Sequence, residues 1–334
     1  MKPITVGIIA PSSVIPKVEL ALGIQALRDE GLEIKVHPSV YGQHTFYSAT
    51  DEARAQAFIE YAQDATLDVI WCARGGYGAT HLLPLLKKKL NPKKIKRKLL
   101  IGFSDATALL EFARTQLRWK TIHGPMPALK TFSALAPGEW ASLLSLIRQF
   151  SGHNKKGQNG KNELFPLEWI YRPPPFRPVV GPVVGGNLAV WNSLIGTPFA
   201  GSSRGKILFF EEIQENVARI NRMIHHLEQA GGFKGAKGIV LGDFTECRDT
   251  APLVFKSVPK DLFHPTPEEL MPLRETLDSK QALAMVFKDL GQRLSLPVLA
   301  GLPLGHGGRN YSLALGEPYR ISLKGKTPCL TLGA

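Results

Sequence analysis

The stretch that decides the fold reads Leu99-Leu100-Ile101-Gly102-Phe103-Ser104-Asp105-Ala106-Thr107-Ala108-Leu109-Leu110. Its apolar run stops at Gly102 and resumes after Asp105 with helical spacing, which predicts a strand, a sharp turn and a helix. Such a turn lifts a serine hydroxyl to the carboxyl end of a sheet, where the first amides of the helix can face an oxyanion. Ser104 is therefore a candidate nucleophile. Ser104 and Asp105 also suit a helix N-cap, so the turn alone leaves both interpretations open.

Strands and helices alternate on either side of this turn, which predicts a parallel, doubly wound α/β sheet in the amino-terminal half. Strands are expected at 4–9, 32–36, 67–73 and 98–103, and Thr50 is expected to cap the helix that precedes the third strand. The third and fourth strands end in glycine-containing loops. Because ligands of such sheets bind beyond the carboxyl ends of the strands, both loops are expected to line one crevice.

Chain length and a polar, proline-rich segment predict two domains. The 334 residues exceed the usual size of a single hydrophobic core. The polar residues 151–161 and the prolines of 173–178 indicate an exposed connection. We therefore expect an α/β domain at 1–150, a linker at 151–180 and a mixed α/β domain at 181–334. The active site is expected in the cleft between the domains.

The basic charge of the chain is local. The net charge is +13, and eight of the basic residues lie between Lys87 and Lys98. Base-stacking aromatic residues are missing from this cluster, so it is interpreted as a solvated loop, with a binding patch for an acidic partner as the alternative. A nonenzymatic polyanion or nucleic-acid binder is kept as a hypothesis from another functional class.

The three cysteines and the amino terminus bear on the environment of the protein. Cys72, Cys247 and Cys329 are far apart and lack CxxC spacing, which argues against a disulfide framework or zinc site and favours buried thiols. The apolar patch after Met1 is too short and interrupted for a signal peptide. These features predict a cytoplasmic protein.

The loop Arg74-Gly75-Gly76-Tyr77-Gly78 allows close approach of a ligand to the backbone. The amides of Gly75 and Gly76 can bind an oxyanion or a carboxylate. Neither GxGxxG nor GxxxxGK[ST] is present, so the match to a phosphate site is weak. A plain structural turn is the remaining interpretation, and a Rossmann-like nucleotide binder is a third functional hypothesis.

Two further stretches offer a base and an acid. His306 lies in the loop Leu304-Gly305-His306-Gly307-Gly308-Arg309-Asn310, where the flanking glycines keep the imidazole accessible. Glu211 and Glu212 end a strand predicted at 206–210 and point to opposite faces, so one faces the crevice while the other is solvated or caps the following segment. With Ser104, they can supply a nucleophile, base and acid. Sequence spacing does not show that they meet.

The other histidines are weaker candidates. His123 follows a predicted strand, can line the crevice and ranks second as the base. His225 and His226 are adjacent on a helix and point about 100 degrees apart, so they do not form the paired ligands of a zinc peptidase.

Seven blocks carry a family resemblance along nearly the whole chain: Arg74–Ala79, Gly102–Ala108, Gly124–Met126, Gly185–Leu188 with Leu194–Pro198, Glu211–Glu215, Gly238–Gly242 and Gly305–His306. In these blocks and their order the chain resembles the LD-carboxypeptidases, which include murein tetrapeptide carboxypeptidases and microcin C immunity proteins. Glu212 stands where an aspartate is usual in that family.

The resemblance implies a serine peptidase that releases the terminal D-alanine of a peptidoglycan tetrapeptide. It assigns Ser104 as nucleophile, Glu211 as acid and His306 as base, with an acyl-enzyme intermediate. It implies the two-domain fold derived above, a homodimer, and neither metal nor organic cofactor. The alternative within the family is an amidase that acts on a peptidyl or aminoacyl nucleotide.

Two substrate-binding expectations accompany this assignment. The amides of Asp105 and of Gly75 or Gly76 are the candidate oxyanion-hole donors. Arg74 is the candidate partner of the carboxylate at the end of the substrate, with a structural salt bridge as its alternative role.

Overall fold

The computed structural model describes residues 3–152, 164–248, 254–255, 264, 266, 272–273 and 279–333. Numbered along the chain, its strands are β1 (Thr5–Ile9), β2 (Glu33–Val36), β3 (Val69–Cys72), β4 (Leu99–Gly102), β5 (Lys120–His123), β6 (Leu164–Pro166), β7 (Glu168–Tyr171), β8 (Val179–Asn187), β9 (Ile207–Ile213), β10 (Gly238–Thr245), β11 (Val254–Phe255), β12 (Pro272–Leu273), β13 (Val298–Ala300), β14 (Leu313–Leu315), β15 (Pro318–Lys324) and β16 (Thr327–Leu332). The α-helices are α1 (Lys17–Asp29), α2 (Asp51–Gln63), α3 (Ala79–Lys89), α4 (Thr107–Phe112), α5 (Pro137–Phe150), α6 (Leu188–Ser193), α7 (Val217–Gln229) and α8 (Ser279–Leu294).

The first sheet has six strands in the order β14-β5-β4-β3-β1-β2. Strands β1 to β5 run parallel, and β14 is antiparallel to β5. Leu100 of β4 packs with α2, α3 and α4 on one face, whereas Leu99 and Ile101 pack with α1 and α5 on the other. Burial on both faces explains why β1, β3 and β4 read as continuous apolar runs. The predicted doubly wound arrangement is confirmed, and Thr50 caps α2 by accepting a hydrogen bond from the Ala53 amide.

The second sheet has eight strands in the order β6-β16-β15-β8-β9-β10-β13-β7. Its centre, β8-β9-β10-β13, is parallel, and the flanking strands are antiparallel. One face packs against α6, α7 and α8, with the apolar stripe of α7 formed by Ile220, Ile224 and Leu227. The opposite face, including Val183 and Phe209, shares a hydrophobic cluster with α4 of the first unit. The mixed α/β class expected for this half is confirmed.

The segment predicted as a linker contains regular structure. Residues 153–163, which include most of its polar part, lie outside the described residues. Beyond them, β6 and β7 form the two edges of the second sheet, so this part of the predicted linker is built into that sheet. Phe165, which is buried on β6, pairs with Leu330 of β16. These strands have three and four residues, too few for alternating hydrophobicity to predict them.

The basic cluster is not uniformly solvated. Lys87, Lys88 and Lys89 form the last turn of α3, where positive charge complements the helix dipole. Lys98, however, is buried at the start of β4, and its Nζ donates to the carbonyls of Asp64 at 2.6 Å and Leu67 at 2.9 Å. Burial lowers the pKa of Lys98 to about 8. The solvated-loop prediction is therefore wrong for Lys98, because two carbonyls replace water around its ammonium group.

The three cysteines are buried free thiols, as predicted. Within the ranges given above, no helix combines the length and apolar character needed to cross a membrane.

Candidate active site

Ser104 occupies a strained turn at the carboxyl end of β4. Phe103 is extended, Ser104 has a φ of 58°, and a 3₁₀ turn over Ser104–Ala106 leads into α4. A positive φ is uncommon for a residue other than glycine and marks a backbone held by its surroundings. Among the described residues, the Ser104 hydroxyl makes no hydrogen bond to an amide of the helix that follows. The N-cap interpretation is therefore wrong for Ser104, whose hydroxyl is left for another role.

The Asp105 carboxylate ties three loops together at the carboxyl edge of the first sheet. It is buried and accepts hydrogen bonds from the Ser12 hydroxyl at 2.6 Å and from the Ala79 amide at 2.9 Å. Ala79 is the first residue of α3, so Asp105 caps a neighbouring helix rather than its own. Burial raises the pKa of Asp105 and outweighs the two hydrogen bonds and the Arg54 charge that favour its ionised form.

Gly75 lies directly against the candidate nucleophile. A Cβ at this position would lie 3.0 Å from the Ser104 Cβ, 3.1 Å from its Oγ and 3.3 Å from the Asp105 amide nitrogen. Gly76 has a φ of +114°, and a Cβ there would clash with the Ser13 hydroxyl. The structure thus brings Gly75 to Ser104 and Gly76 to Ser13.

Arg74 contacts the β1–α1 loop. Its Nη1 donates to the Val14 carbonyl at 3.2 Å, and the residue is half-buried. Among the residues described, Arg74 takes part in no salt bridge, so the structural salt bridge considered for it is not observed.

Glu211 and His306 meet although 95 residues separate them in sequence. The His306 Nδ1 lies 2.7 Å from the Glu211 Oε2. Strand β9 extends beyond its predicted end and carries Glu211 into the interior, where the residue is fully buried. Gly305 has a φ of +120°, and a Cβ there would lie 2.8 Å from the Glu211 Oε2. Glycine before the histidine therefore allows this close approach.

The His306 imidazole also packs on the first unit. Its centroid lies 4.8 Å from that of Phe103, the residue before Ser104. No hydrogen bond joins the Ser104 hydroxyl to the His306 ring in the described part of the chain. Catalytic hydrogen bonds are often long in enzymes without substrate and shorten in the reactive complex. The histidine and the serine turn thus belong to one neighbourhood formed by both sheets.

The surroundings of His306 favour its protonated form. Burial opposes the charge, but the Glu211 hydrogen bond and the negative charges of Glu211, Glu212 and Asp243 outweigh it and raise the pKa of His306. Glu211 Oε1 is buried and has no hydrogen-bond partner among the described residues, so the imidazole is the main group that compensates this carboxylate. The described ranges contain no group of three His, Cys, Asp or Glu residues arranged to hold a metal ion.

His123 does not line the crevice. It is fully buried between the rings of Phe103 and Phe209, at centroid distances of 5.6 and 4.9 Å. Burial, followed by the charge of His306, lowers the pKa of His123 to about 3. The prediction of His123 as an alternative base is therefore wrong, because neither solvent nor substrate reaches the ring.

Glu212 is buried and serves α6. Its Oε1 accepts from the Asn187 Nδ2 at 2.7 Å, and its Oε2 accepts from the Ala189 amide at 2.8 Å. Opposite orientation of the two glutamates follows the alternation of β9, as predicted. The predicted surroundings of Glu212 are wrong, since it is buried rather than solvated and the helix that it caps, α6, precedes it in the chain.

Two residues near the site had no distinctive sequence signal. The Ser13 hydroxyl accepts from the Tyr77 amide at 3.3 Å and supports the glycine loop. Asp243 lies beside the loop of His306. In the sequence it belongs to a strand-like run, which does not indicate a functional role. A carboxylate next to Gly242 at the predicted carboxyl end of a parallel strand was the available indication.

Two matches to known protein domains cover most of the chain. Residues 6–124 match the LD-carboxypeptidase N-terminal domain, and residues 180–321 match the C-terminal domain. The chain belongs to the LD-carboxypeptidase family. It is therefore a serine-type carboxypeptidase, a hydrolase, and the family resemblance of the seven sequence blocks is confirmed.

Three relatives are similar to this chain over nearly their whole length. A probable murein peptide carboxypeptidase of Bacillus subtilis is 26% identical, with 98% of this chain and 92% of the relative aligned. The microcin C7 self-immunity protein MccF of Escherichia coli is 27% identical, with 96% and 90% aligned. The crystal structure of muramoyltetrapeptide carboxypeptidase from Oxalobacter formigenes is 26% identical, with a TM-score of 0.73 over 98% of this chain and 99% of that chain.

Proposed function

We propose that this protein hydrolyses the L,D amide bond that holds the terminal D-alanine of a murein tetrapeptide, using Ser104, His306 and Glu211. The hydrogen bond of 2.7 Å between Glu211 and His306 carries this proposal. It gives the imidazole an acidic partner on Nδ1 and leaves Nε2 available as a base. The strained turn at Ser104 and the contact between Phe103 and His306 support the same assignment.

The reaction proceeds through an acyl-enzyme. The His306 Nε2 takes the proton of the Ser104 hydroxyl as Oγ attacks the carbonyl carbon of the scissile bond. Glu211 stabilises the resulting imidazolium. The tetrahedral intermediate then expels the D-alanine amine, which receives the proton from His306. Water, deprotonated by His306, attacks the ester and regenerates Ser104.

The backbone of the two loops binds the oxyanion in this proposal. The Asp105 amide and the amide of Gly75 or Gly76 are the donors, and the contact of Gly75 with Ser104 favours Gly75. Each donor of this kind contributes on the order of 3 kcal/mol to the transition state. Arg74 binds the carboxylate of the substrate through the nitrogens that do not contact Val14.

Release of D-alanine from a purified muropeptide tetrapeptide tests this function. We expect Ser104→Ala and His306→Ala each to lower kcat by about 10³-fold or more, and the thermal unfolding midpoint of Ser104→Ala to stay close to that of the wild type. Ser133→Ala, an exposed serine outside the site, is the matched control. Equal D-alanine release by Ser104→Ala and the wild type would exclude Ser104 as nucleophile.

The similarity to the self-immunity protein favours a second candidate substrate class, an aminoacyl or peptidyl nucleotide. The same triad can cleave its amide bond. Comparing kcat/KM for an aminoacyl sulfamoyl nucleotide and for the tetrapeptide separates the two substrate classes.

The homodimer and the cytoplasmic location stay predictions. Membership of a hydrolase family argues against two other hypotheses, namely a nonenzymatic polyanion binder and a Rossmann-like nucleotide binder.

A further inference from the structure

Asp243 holds the loop of His306 from both sides. Its amide donates to the Leu304 carbonyl at 2.8 Å, and its carboxylate lies directly against the backbone of Gly307. A Cβ at Gly307 would clash with the Asp243 carboxylate, so only glycine permits this contact. The main chain and side chain of one residue thus fix the loop before and after the histidine.

An irregularity in β10 brings Asp243 to this position. The regular pairing of β10 with β9 is interrupted between Leu241 and Phe244. Such bulges change the direction of side chains and are common next to active sites. Asp243 therefore departs from the ladder at the level of Glu211 on the neighbouring strand.

Four titratable groups on the elements packed around His306 interact with the charge of its imidazole, and Glu212 does so from the opposite face of its strand. Glu211 and Glu212 lie on β9, Asp243 on β10 and His123 on β5. Burial, followed by the charge of Glu211, raises the pKa of Asp243 to about 6, while the Gly307 amide and His306 lower it. Above that pH the imidazole faces a second carboxylate beside Glu211.

We propose that Asp243 is a positioning residue for His306, which fixes the histidine loop through Gly307 and supplies part of the negative charge that stabilises the imidazolium. This inference rests on the proposed role of His306 as the base. Glu211 and Asp243 then act on His306 in different ways. Glu211 bonds to the ring directly, whereas Asp243 acts through the loop backbone and through charge.

Asp243→Asn separates charge from loop geometry. The amide oxygen retains an acceptor for Gly307, but the negative charge is lost, so the pKa of His306 falls. We expect the acidic limb of the plot of kcat/KM against pH to shift by about 0.5 to 1 unit toward lower pH. The plateau value of kcat/KM should fall about 3- to 10-fold. Glu246→Gln, the same charge change at an exposed carboxylate, is the matched control and keeps the wild-type profile.

Asp243→Ala removes the acceptor as well as the charge. We expect its kcat to fall about 10²-fold or more, with most of the loss recovered in Asp243→Asn. Asp243→Ser, which keeps a small acceptor, replaces the asparagine variant if that variant does not fold. Equal losses in the alanine and asparagine variants would overturn the loop-fixing part of the proposal.

An NMR titration of the His306 ring tests the charge separately from turnover, with His306→Gln to assign the resonance. A lower pKa of His306 in Asp243→Asn than in the wild type and Glu246→Gln supports the proposal, even if the tetrapeptide is not the substrate. An unchanged pKa overturns it. Failure of the proposed function has a different signature, namely a wild type that releases no D-alanine or does so without Ser104.

Discussion

At the scale of single residues, glycines decide how closely other segments approach the side chains of the candidate site. Gly75 faces Ser104, Gly305 faces the Glu211 carboxylate and Gly307 faces that of Asp243. In each case an added Cβ would crowd the neighbouring side chain, and at Gly307 it would clash with it. The glycines of the sequence blocks thus mark contacts between distant segments as well as turns.

Gly75→Ala tests this at the serine. Its backbone lacks a positive φ, so the added methyl group acts through crowding of the Ser104 Cβ and Oγ. We expect kcat for D-alanine release to fall about 10-fold or more, because small displacements of a nucleophile are costly. The free energy of unfolding should change by only about 1 kcal/mol. Wild-type kcat in this variant would contradict a tight fit between Gly75 and Ser104.

At the scale of elements, the end of β9 serves two purposes. Alternation along the strand directs Glu211 to His306 and Glu212 to the amino terminus of α6. The Glu212 Oε1 also accepts from the Ile213 amide at 2.9 Å, so this carboxylate satisfies donors on three elements, β8, α6 and β9. Adjacent residues of one type thus have separate roles, catalytic in our proposal for Glu211 and structural for Glu212.

Glu212→Ala tests the structural role. Removing the carboxylate leaves the buried Asn187 side chain and the Ala189 amide without their acceptor. We expect the free energy of unfolding to fall by about 2 to 4 kcal/mol in urea denaturation. Glu246→Ala, at an exposed carboxylate, should stay within about 0.5 kcal/mol of the wild type. A comparably small loss for Glu212→Ala would contradict the capping role.

At the scale of the whole molecule, the two halves share strands and core. The carboxy-terminal segment returns to the first sheet as β14, whose Leu313 pairs with His123. The Asn187 amide donates to the Thr107 hydroxyl at 3.1 Å, which connects β8 to the helix after Ser104. One hydrophobic cluster contains side chains from both sheets. Packing in this common core therefore fixes the position of Ser104 relative to His306.

A shared core predicts that both halves unfold together. Leu313→Ala, at a fully buried position of β14, should cost about 2 to 5 kcal/mol and move a single calorimetric transition to lower temperature. Leu323→Ala, at a position 37% exposed on β15, is the control with a small effect. Two transitions, of which only one shifts, would show that the halves unfold independently.

Apolar periodicity, caps and glycine turns are local signals, so the α/β class, most elements of the first sheet and the family could be predicted from the order of the amino acids. The same signals indicated Ser104, Glu211 and His306 as candidates. Folding was needed to show that Glu211 and His306 meet, that Asp105 caps α3, that His123 is enclosed and that Asp243 bonds to the histidine loop. These facts depend on contacts between residues far apart in sequence, which packing of the two sheets creates and no local pattern encodes.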